Sequence, residues 1–346
     1  MAVLLVALAR SEDTQAKTTP DVIHLDLMRY NHENSPFATS NQSQEDQSRI
    51  AVERSRQRAE WFNSQTNSKN EESNSPNEQA DGPSGPQFLS TPLYSVQCDY
   101  VMQVNVGTPP QTKVAIADTG SDLFWLECLY GLVGLGRGPL SIIRQFGFTA
   151  FSYCLTSFCS SKTKTSPLIL GDADGWYSYT PLIVNSAADT FYYVGLIAIL
   201  VNGIPLSIPC STFEIDSQGH GGTIVDSGTT FTQLQEAAYT PLLNKVRSLI
   251  TYTKVNGSSV GLDACYRPGT PSPIWPTVTL VLSLGVKMVL PGDNLFLLVD
   301  NSGDYCMAIM SSGSSRLGII GNVQQQNFNI KFDLANNQLG LSPTTC

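Results

Sequence analysis

From Tyr100 onward the chain reads as short apolar runs with a period of two. Tyr100, Met102, Val104 and Val106 alternate with Val101, Gln103 and Asn105, the pattern of a half-buried strand. Thr108-Pro109-Pro110 turns the chain, and Lys113 to Ala117 predicts a second strand that ends at Asp118. After residue 166 further short strands follow, among them Phe191 to Val201. They are punctuated by turn signals at Asn202-Gly203 and at Gly219 to Gly222. One segment is helical instead: Leu242, Leu243, Val246, Leu249 and Ile250 recur at helical spacing behind Thr240-Pro241, which predicts a helix start there. Many strands and few helices predict an all-β, two-lobed architecture.

The first 96 residues differ. Ala2 to Ala9 is apolar and short, without a basic leader, and reads as a weak signal segment. Arg49 to Phe62 predicts a short basic helix, and Asn63 to Pro86 has linker composition with almost nothing apolar.

Composition narrows the function classes. Hydrophobic residues make up 41% of the 346, enough for a large core, and the net charge is −9. No basic stripe exists, which argues against nucleic acid, and no run of 18 apolar residues exists to span a membrane. The eight cysteines form no C-x-x-C pair, and His24, His32 and His220 are isolated. A structural zinc site therefore fits poorly, and scattered disulfides of a secreted protein fit better.

The candidate chemistry lies in a repeated motif. Val114 to Ser121 ends in Asp118-Thr119-Gly120-Ser121, and Thr223 to Thr230 carries Asp226-Ser227-Gly228-Thr229. In both, an apolar strand delivers an aspartate into a turn that glycine permits, with hydroxyls placed to hydrogen-bond the carboxylate. One Asp-Thr-Gly is an ordinary turn; two, 108 residues apart, predict carboxylates brought together by an internally repeated fold. Two competing motifs are weaker. Gly257-Ser258-Ser259-Val260-Gly261 has the letters of a nucleophile elbow, but no histidine follows it. Gly134, Gly136 and Gly138 lack the spacing of a dinucleotide loop and read as a turn beside Leu132-Val133-Gly134.

These motifs resemble those of pepsin-like aspartic endopeptidases, and their surroundings resemble the plant nepenthesin-type branch. The residues that carry the resemblance are Tyr100 to Pro110, Phe124-Trp125, Gly134 to Gly138, Phe151-Ser152-Tyr153-Cys154 and Ile319-Ile320-Gly321-Asn322. Asp21 to Asp26 and Ser35-Pro36-Phe37 resemble that branch's prosegments. The resemblance implies a bilobed fold in which Asp118 and Asp226 share a proton and activate a water. Ser121 and Thr229 would support the outer carboxylate oxygens, with Gly120 and Gly228 in the turns, and Thr119 and Ser227 would tie the two loops together. It implies no metal or organic cofactor, a peptide or protein substrate, a monomer, and a secreted (apoplastic) or vacuolar location. Cys265 would pair with Cys306, and Cys154 with Cys346. The expected division is a signal segment over 1–16, a prosegment and linker over 17–96, a truncated N-terminal lobe over 97–166 and a C-terminal lobe over 167–346. A catalytically inactive binding or inhibitor protein on the same fold is the alternative.

One departure stands out. In the family, the segment between the first aspartate and its apolar-apolar-Gly element holds most of the first lobe, including the flap. Here Asp118 and Gly134 lie sixteen residues apart, and Cys128 runs directly into Leu129-Tyr130. The missing strands should leave apolar surface uncovered on the first lobe, so that proteolysis degrades residues before about 130 and spares a C-terminal fragment.

Overall fold

The computed structural model describes residues 22–29, 43–72, 99–106, 109, 111–126, 131–157, 164–257, 259–269 and 272–346. Ala2 to Ala9, Ser35 to Phe37, Tyr130, Ser258 and the cysteines at 98, 128 and 159 lie outside them. Among the described residues, one sheet of 15 strands runs through the molecule, with two four-stranded sheets beside it.

The first half is built on β1 (Val22–Arg29), β2 (Tyr100–Val106), β3 (Gln111–Asp118), β4 (Trp125–Leu126), β5 (Gly131–Gly134), β6 (Ala150–Cys154) and β7 (Ser166–Gly171). Along β2, Tyr100, Met102 and Val104 are buried while Gln103 and Asn105 face water, as the alternation predicts. β2 pairs antiparallel with β3, and β3 continues in parallel with β5, so that Asp118 lies opposite Gly134. The second half repeats this plan: strand Thr223–Val225 runs parallel to Gly318–Ile320, with Ile224 opposite Ile319. β1 sits inside the large sheet, paired with β2 on one side and along Val22 to Leu27 with β7 on the other.

Two sequence expectations shift. The run Phe191 to Val201 is broken at Gly195 into strands Tyr193–Val194 and Leu196–Val201. The helix spans Glu236–Leu249 and begins a turn before the expected Thr240-Pro241, so Pro241 lies inside it. Proline there removes one ladder hydrogen bond, but the extra turn buries Ala238 and Tyr239, and Gln235 O accepts from both of their amides. Tertiary burial outweighs the local start signal.

The basic helix is also longer than expected. Here α1 (Gln44–Glu72) starts at Ser43, whose Oγ accepts from Asp46 N at 3.1 Å and donates to the Asp46 carboxylate, a reciprocal cap. Ala51 and Val52 pack among Phe231, Val260, Leu262, Met310 and Val323. Ala59 and Phe62 pack among Ala188, Phe191, Ile224, Leu317 and Ile319. Backbone bonds join in: Phe231 N donates to Ser55 Oγ at 3.1 Å. α1 is therefore part of the core of the second half, and it should resist proteolysis together with residues after 167. Limited digestion that removed residues 51–62 first would contradict this. At the end of the large sheet β4 is the terminal strand, with Leu123 exposed and Phe124, Trp125 and Leu126 half-buried, although Trp176, Ile274 and Leu284 in the second half are more exposed.

Disulfides join Cys154 to Cys346 and Cys265 to Cys306; Cys210 is free and exposed. The second bridge joins directly opposed residues of neighbouring strands and lies in the cluster that seats Val52. Loop entropy over 41 residues puts its contribution at about 4 kcal/mol. Replacing both cysteines by serine should lower the denaturant-unfolding free energy by about 2 to 4 kcal/mol and loosen α1.

Candidate active site

Asp118 and Asp226 sit at the ends of their strands, fully buried, within hydrogen-bonding reach of each other. Each carboxylate is held by its own turn. Gly120 N donates to Asp118 Oδ1 at 3.0 Å and Ser121 Oγ to Oδ2 at 2.6 Å. Gly228 N and Thr229 Oγ1 do the same for Asp226, at 3.0 and 2.5 Å. The two turns are cross-linked: Thr119 N donates to Ser227 Oγ at 3.1 Å, and Ser227 N to Thr119 Oγ1 at 2.9 Å. The hydroxyls then donate onward across the interface, Thr119 to Val225 O and Ser227 to Ala117 O. Both glycines are required by close approach. A Cβ on Gly120 would stand 2.6 Å from Asp226 Oδ1, and one on Gly228 would stand 2.3 Å from Asp118 Oδ1.

The turns rest on a polar layer. Gln325 Nε2 donates to Asp226 O and Ile320 O, Tyr153 Oη donates to Gln325 Oε1, and Asn322 Nδ2 donates to Ser227 O. Asp122 braces the neighbouring loop by accepting from Gly138 N at 2.9 Å. The structure thus brings together all eight residues of the repeated motif.

It adds one that the sequence did not assign. Arg58, on α1, lies over both carboxylates: Nη2 is 2.6 and 2.7 Å from the two oxygens of Asp118, and Nε is 3.2 Å from Asp226 Oδ2. Its guanidinium also stacks against Trp61 and Phe62, 5.0 and 4.8 Å from their ring centres. The available signal was the Arg54, Arg58 spacing, which puts two cations on one helix face in an acidic protein. By itself, that spacing describes any solvated basic helix.

The environment separates the two carboxyls. Burial, reinforced by the charge of Asp118, outweighs Arg58 and pushes Asp226 up to about 6. Burial opposes ionisation of Asp118 as well, but Arg58 and the bonds from Ser121 and Gly120 outweigh it and hold that group below the usual carboxylate value. Burial works against the charge on Arg58, yet the two carboxylates raise its pKa above the ordinary arginine value. One carboxyl poised to keep a proton beside another poised to lose it is an acid–base pair. Among the described residues, no group of histidine, cysteine and acidic side chains could hold a metal. No described helix is long and apolar enough to cross a membrane.

A mostly-β chain with paired Asp-hydroxyl-Gly loops at the junction of two similar halves has the pepsin-like aspartic protease fold. Comparison with known proteins gives the branch. The family descriptions "Xylanase inhibitor N-terminal" and "Xylanase inhibitor C-terminal" match residues 100–130 and 191–343. Aspartic proteinase nepenthesin-2 of Nepenthes gracilis is 30% identical, over 75% of this chain and 80% of that protein. Protein ASPARTIC PROTEASE IN GUARD CELL 2 of Arabidopsis thaliana is 36% identical, over 62% of this chain and 47% of that protein. The crystal structure of edgp covers 71% of this chain and 92% of its own, with a TM-score of 0.62 at 19% identity. The chain belongs to the plant nepenthesin-type family of pepsin-like aspartic proteinases. The alignment with nepenthesin-2 runs over 356 positions yet uses only 75% of this chain, so that relative carries many residues with no counterpart here.

Proposed function

We propose that this chain is the self-blocked precursor of an aspartic endopeptidase, secreted or vacuolar, that hydrolyses peptide bonds between Asp118 and Asp226. The observation that supports the reading is the pair of buried carboxyls, each held by its own glycine amide and hydroxyl and cross-linked through Thr119 and Ser227. Asp226, raised to about 6, keeps a proton in acid and donates a hydrogen bond to the scissile carbonyl. Asp118 remains ionised and takes a proton from the attacking water, which adds to the carbonyl carbon. The tetrahedral intermediate then collapses as the amine leaves with a proton returned from the pair. Arg58 occupies this space and both carboxylates, so α1 must leave before a substrate enters. Residues 17–96 would be the inhibitory prosegment and 97–346 the catalytic part.

The sign of the pH dependence follows. Arg58 works against the rise of Asp226, so with α1 gone Asp226 holds its proton to a higher pH than in the blocked state. Once rising pH removes that proton the mechanism lacks its acid, and cleavage should fall. The test is acid incubation of the full chain with a denatured protein, with and without a pepstatin-type transition-state mimic. Cleavage confined to acid and blocked by the mimic is expected, and Asp226→Asn should lower kcat by about 10² to 10⁴-fold or more while leaving the melting temperature little changed. Undiminished proteolysis in that variant would remove the mechanism.

A second reading is favoured by the short connection between β4 and β5, which leaves only residues 127–130 where relatives build a flap. On this reading the chain is an inactive binding protein. Inserting a flap-bearing segment from a relative between Cys128 and Leu129 separates the two: gained activity supports an impaired protease, and continued silence with a folded, α1-free cleft supports the binder.

A further inference from the structure

Arg58 has a neighbour with the same job. One helical turn earlier on α1, Arg54 Nη1 pairs with Asp99 Oδ2. Asp99 immediately precedes β2, is buried, and lies close enough to Asp118 and Arg58 for their charges to act on it. Burial outweighs the Arg54 pairing and raises its pKa, so it carries charge only well above the strongly acid range. Its second oxygen, Oδ1, is buried with no hydrogen-bond partner. An ionised carboxylate has room for about four donors and suits the two parallel N–H groups of a guanidinium. Here half of that capacity is unused. The fold thus keeps a half-satisfied buried acid beside the dyad, and among the described residues the cations that act on it, Arg54 and Arg58, both arrive on the element that has to leave.

We propose that Asp99 is the acidic wall of a cation subsite in the peptide cleft, held by Arg54 while α1 is docked and taken by an arginine or lysine side chain of the substrate afterwards. The proposal rests on the endopeptidase reading and gives it a substrate class: peptides with a basic residue near the cleaved bond. Arginine is preferred over lysine, because only the planar fork can reach both carboxylate oxygens in parallel. α1 then acts as a stand-in for substrate twice, through Arg58 at the dyad and through Arg54 at the subsite.

The subsite can be tested without any cleavage. Arg54→Ala in the full chain removes the stand-in guanidinium opposite Asp99. Methylguanidinium at millimolar concentration should raise the melting temperature of this variant more than equal tetramethylammonium does, and the difference should vanish in Arg54→Ala/Asp99→Asn. Arg54→Gln, which keeps a polar helix former, provides a second background. Absence of rescue in both backgrounds, or equal rescue without the Asp99 carboxylate, overturns the proposal. Substrate choice is then read from two peptides that differ only in arginine against glutamine. Wild type activated in acid should favour arginine roughly tenfold or more in kcat/KM at the upper end of its active pH range, where the Asp99 carboxyl is ionised, and lose the preference as falling pH protonates it, while Asp99→Asn should bring the ratio near unity throughout. Cleavage without that preference sinks the subsite and leaves the endopeptidase reading standing. Rescue with no cleavage of either peptide sinks the endopeptidase reading and supports the cation site as a property of the cleft.

Discussion

Arg58→Ala should release α1 from the cleft at neutral pH. The substitution leaves Asp118 and Asp226 buried beside each other with no cation, and removing one partner of a buried ion pair costs about 3 to 5 kcal/mol. Hydrogen exchange across residues 51–62 should accelerate by roughly 10² to 10⁴-fold. The pH dependence carries the signature. Arg58 works against the rise of Asp226 and holds Asp118 low, so in the variant both carboxyls move up and take protons more readily. Protonation removes the uncompensated charge. The gap between wild type and variant should therefore be widest at alkaline pH and shrink as pH falls through the variant's raised values, which lie above the wild-type value of about 6 for Asp226, with the Asp118 part lost further into acid. A gap that stays constant from pH 8 to pH 4 would show that Arg58 acts through packing rather than charge.

Phe62→Ala should loosen the same helix by about 3 to 5 kcal/mol with no such pH dependence. Phe62 is fully buried, edge-on to Phe191 at 4.7 Å between ring centres and to Trp61 at 5.0 Å, and it carries one face of the Arg58 guanidinium. Its pocket is completed by Ile224 and Ile319, the residues beside each other on the strands that deliver and brace Asp226. Truncation leaves a cavity there that the strands cannot close without moving the aspartate. Trp61 fluorescence and exchange at residues 51–62 report the loss, and Phe62→Leu should recover about half of it. Unchanged exchange in Phe62→Ala would place the anchoring of α1 elsewhere. The pair of variants divides the hold of α1 into a titratable and a non-titratable part. Acid weakens only the first, so on the proposed endopeptidase reading acid loosens α1, and cleavage or displacement of the helix during the acid incubation completes the opening.

The same division runs through what was legible beforehand. Asp118 and Asp226, their hydroxyls and their glycines were readable because each requirement is local. A strand ends, a turn follows, and a small residue and a hydroxyl stand within three positions of the carboxylate. The alternation along β2 and the strand leading to Asp118 were readable for the same reason. The pairing of the Cys265 and Cys306 strands, the true start of the Glu236–Leu249 helix and the seating of α1 were settled by contacts between distant residues.

The sequence by itself determined the chemistry that could be offered: two aspartate loops, the strands that carry them and a basic helix ahead of them. Only the tertiary structure decided that the basic helix lies in the cleft, with Arg58 on both aspartates and Arg54 on Asp99. A turn is fixed by steric and hydrogen-bonding limits among neighbours in the chain, which the residue order contains. The partner of a helix face is fixed by which apolar and charged surfaces remain uncovered once the rest has packed, and that depends on all of the chain at once.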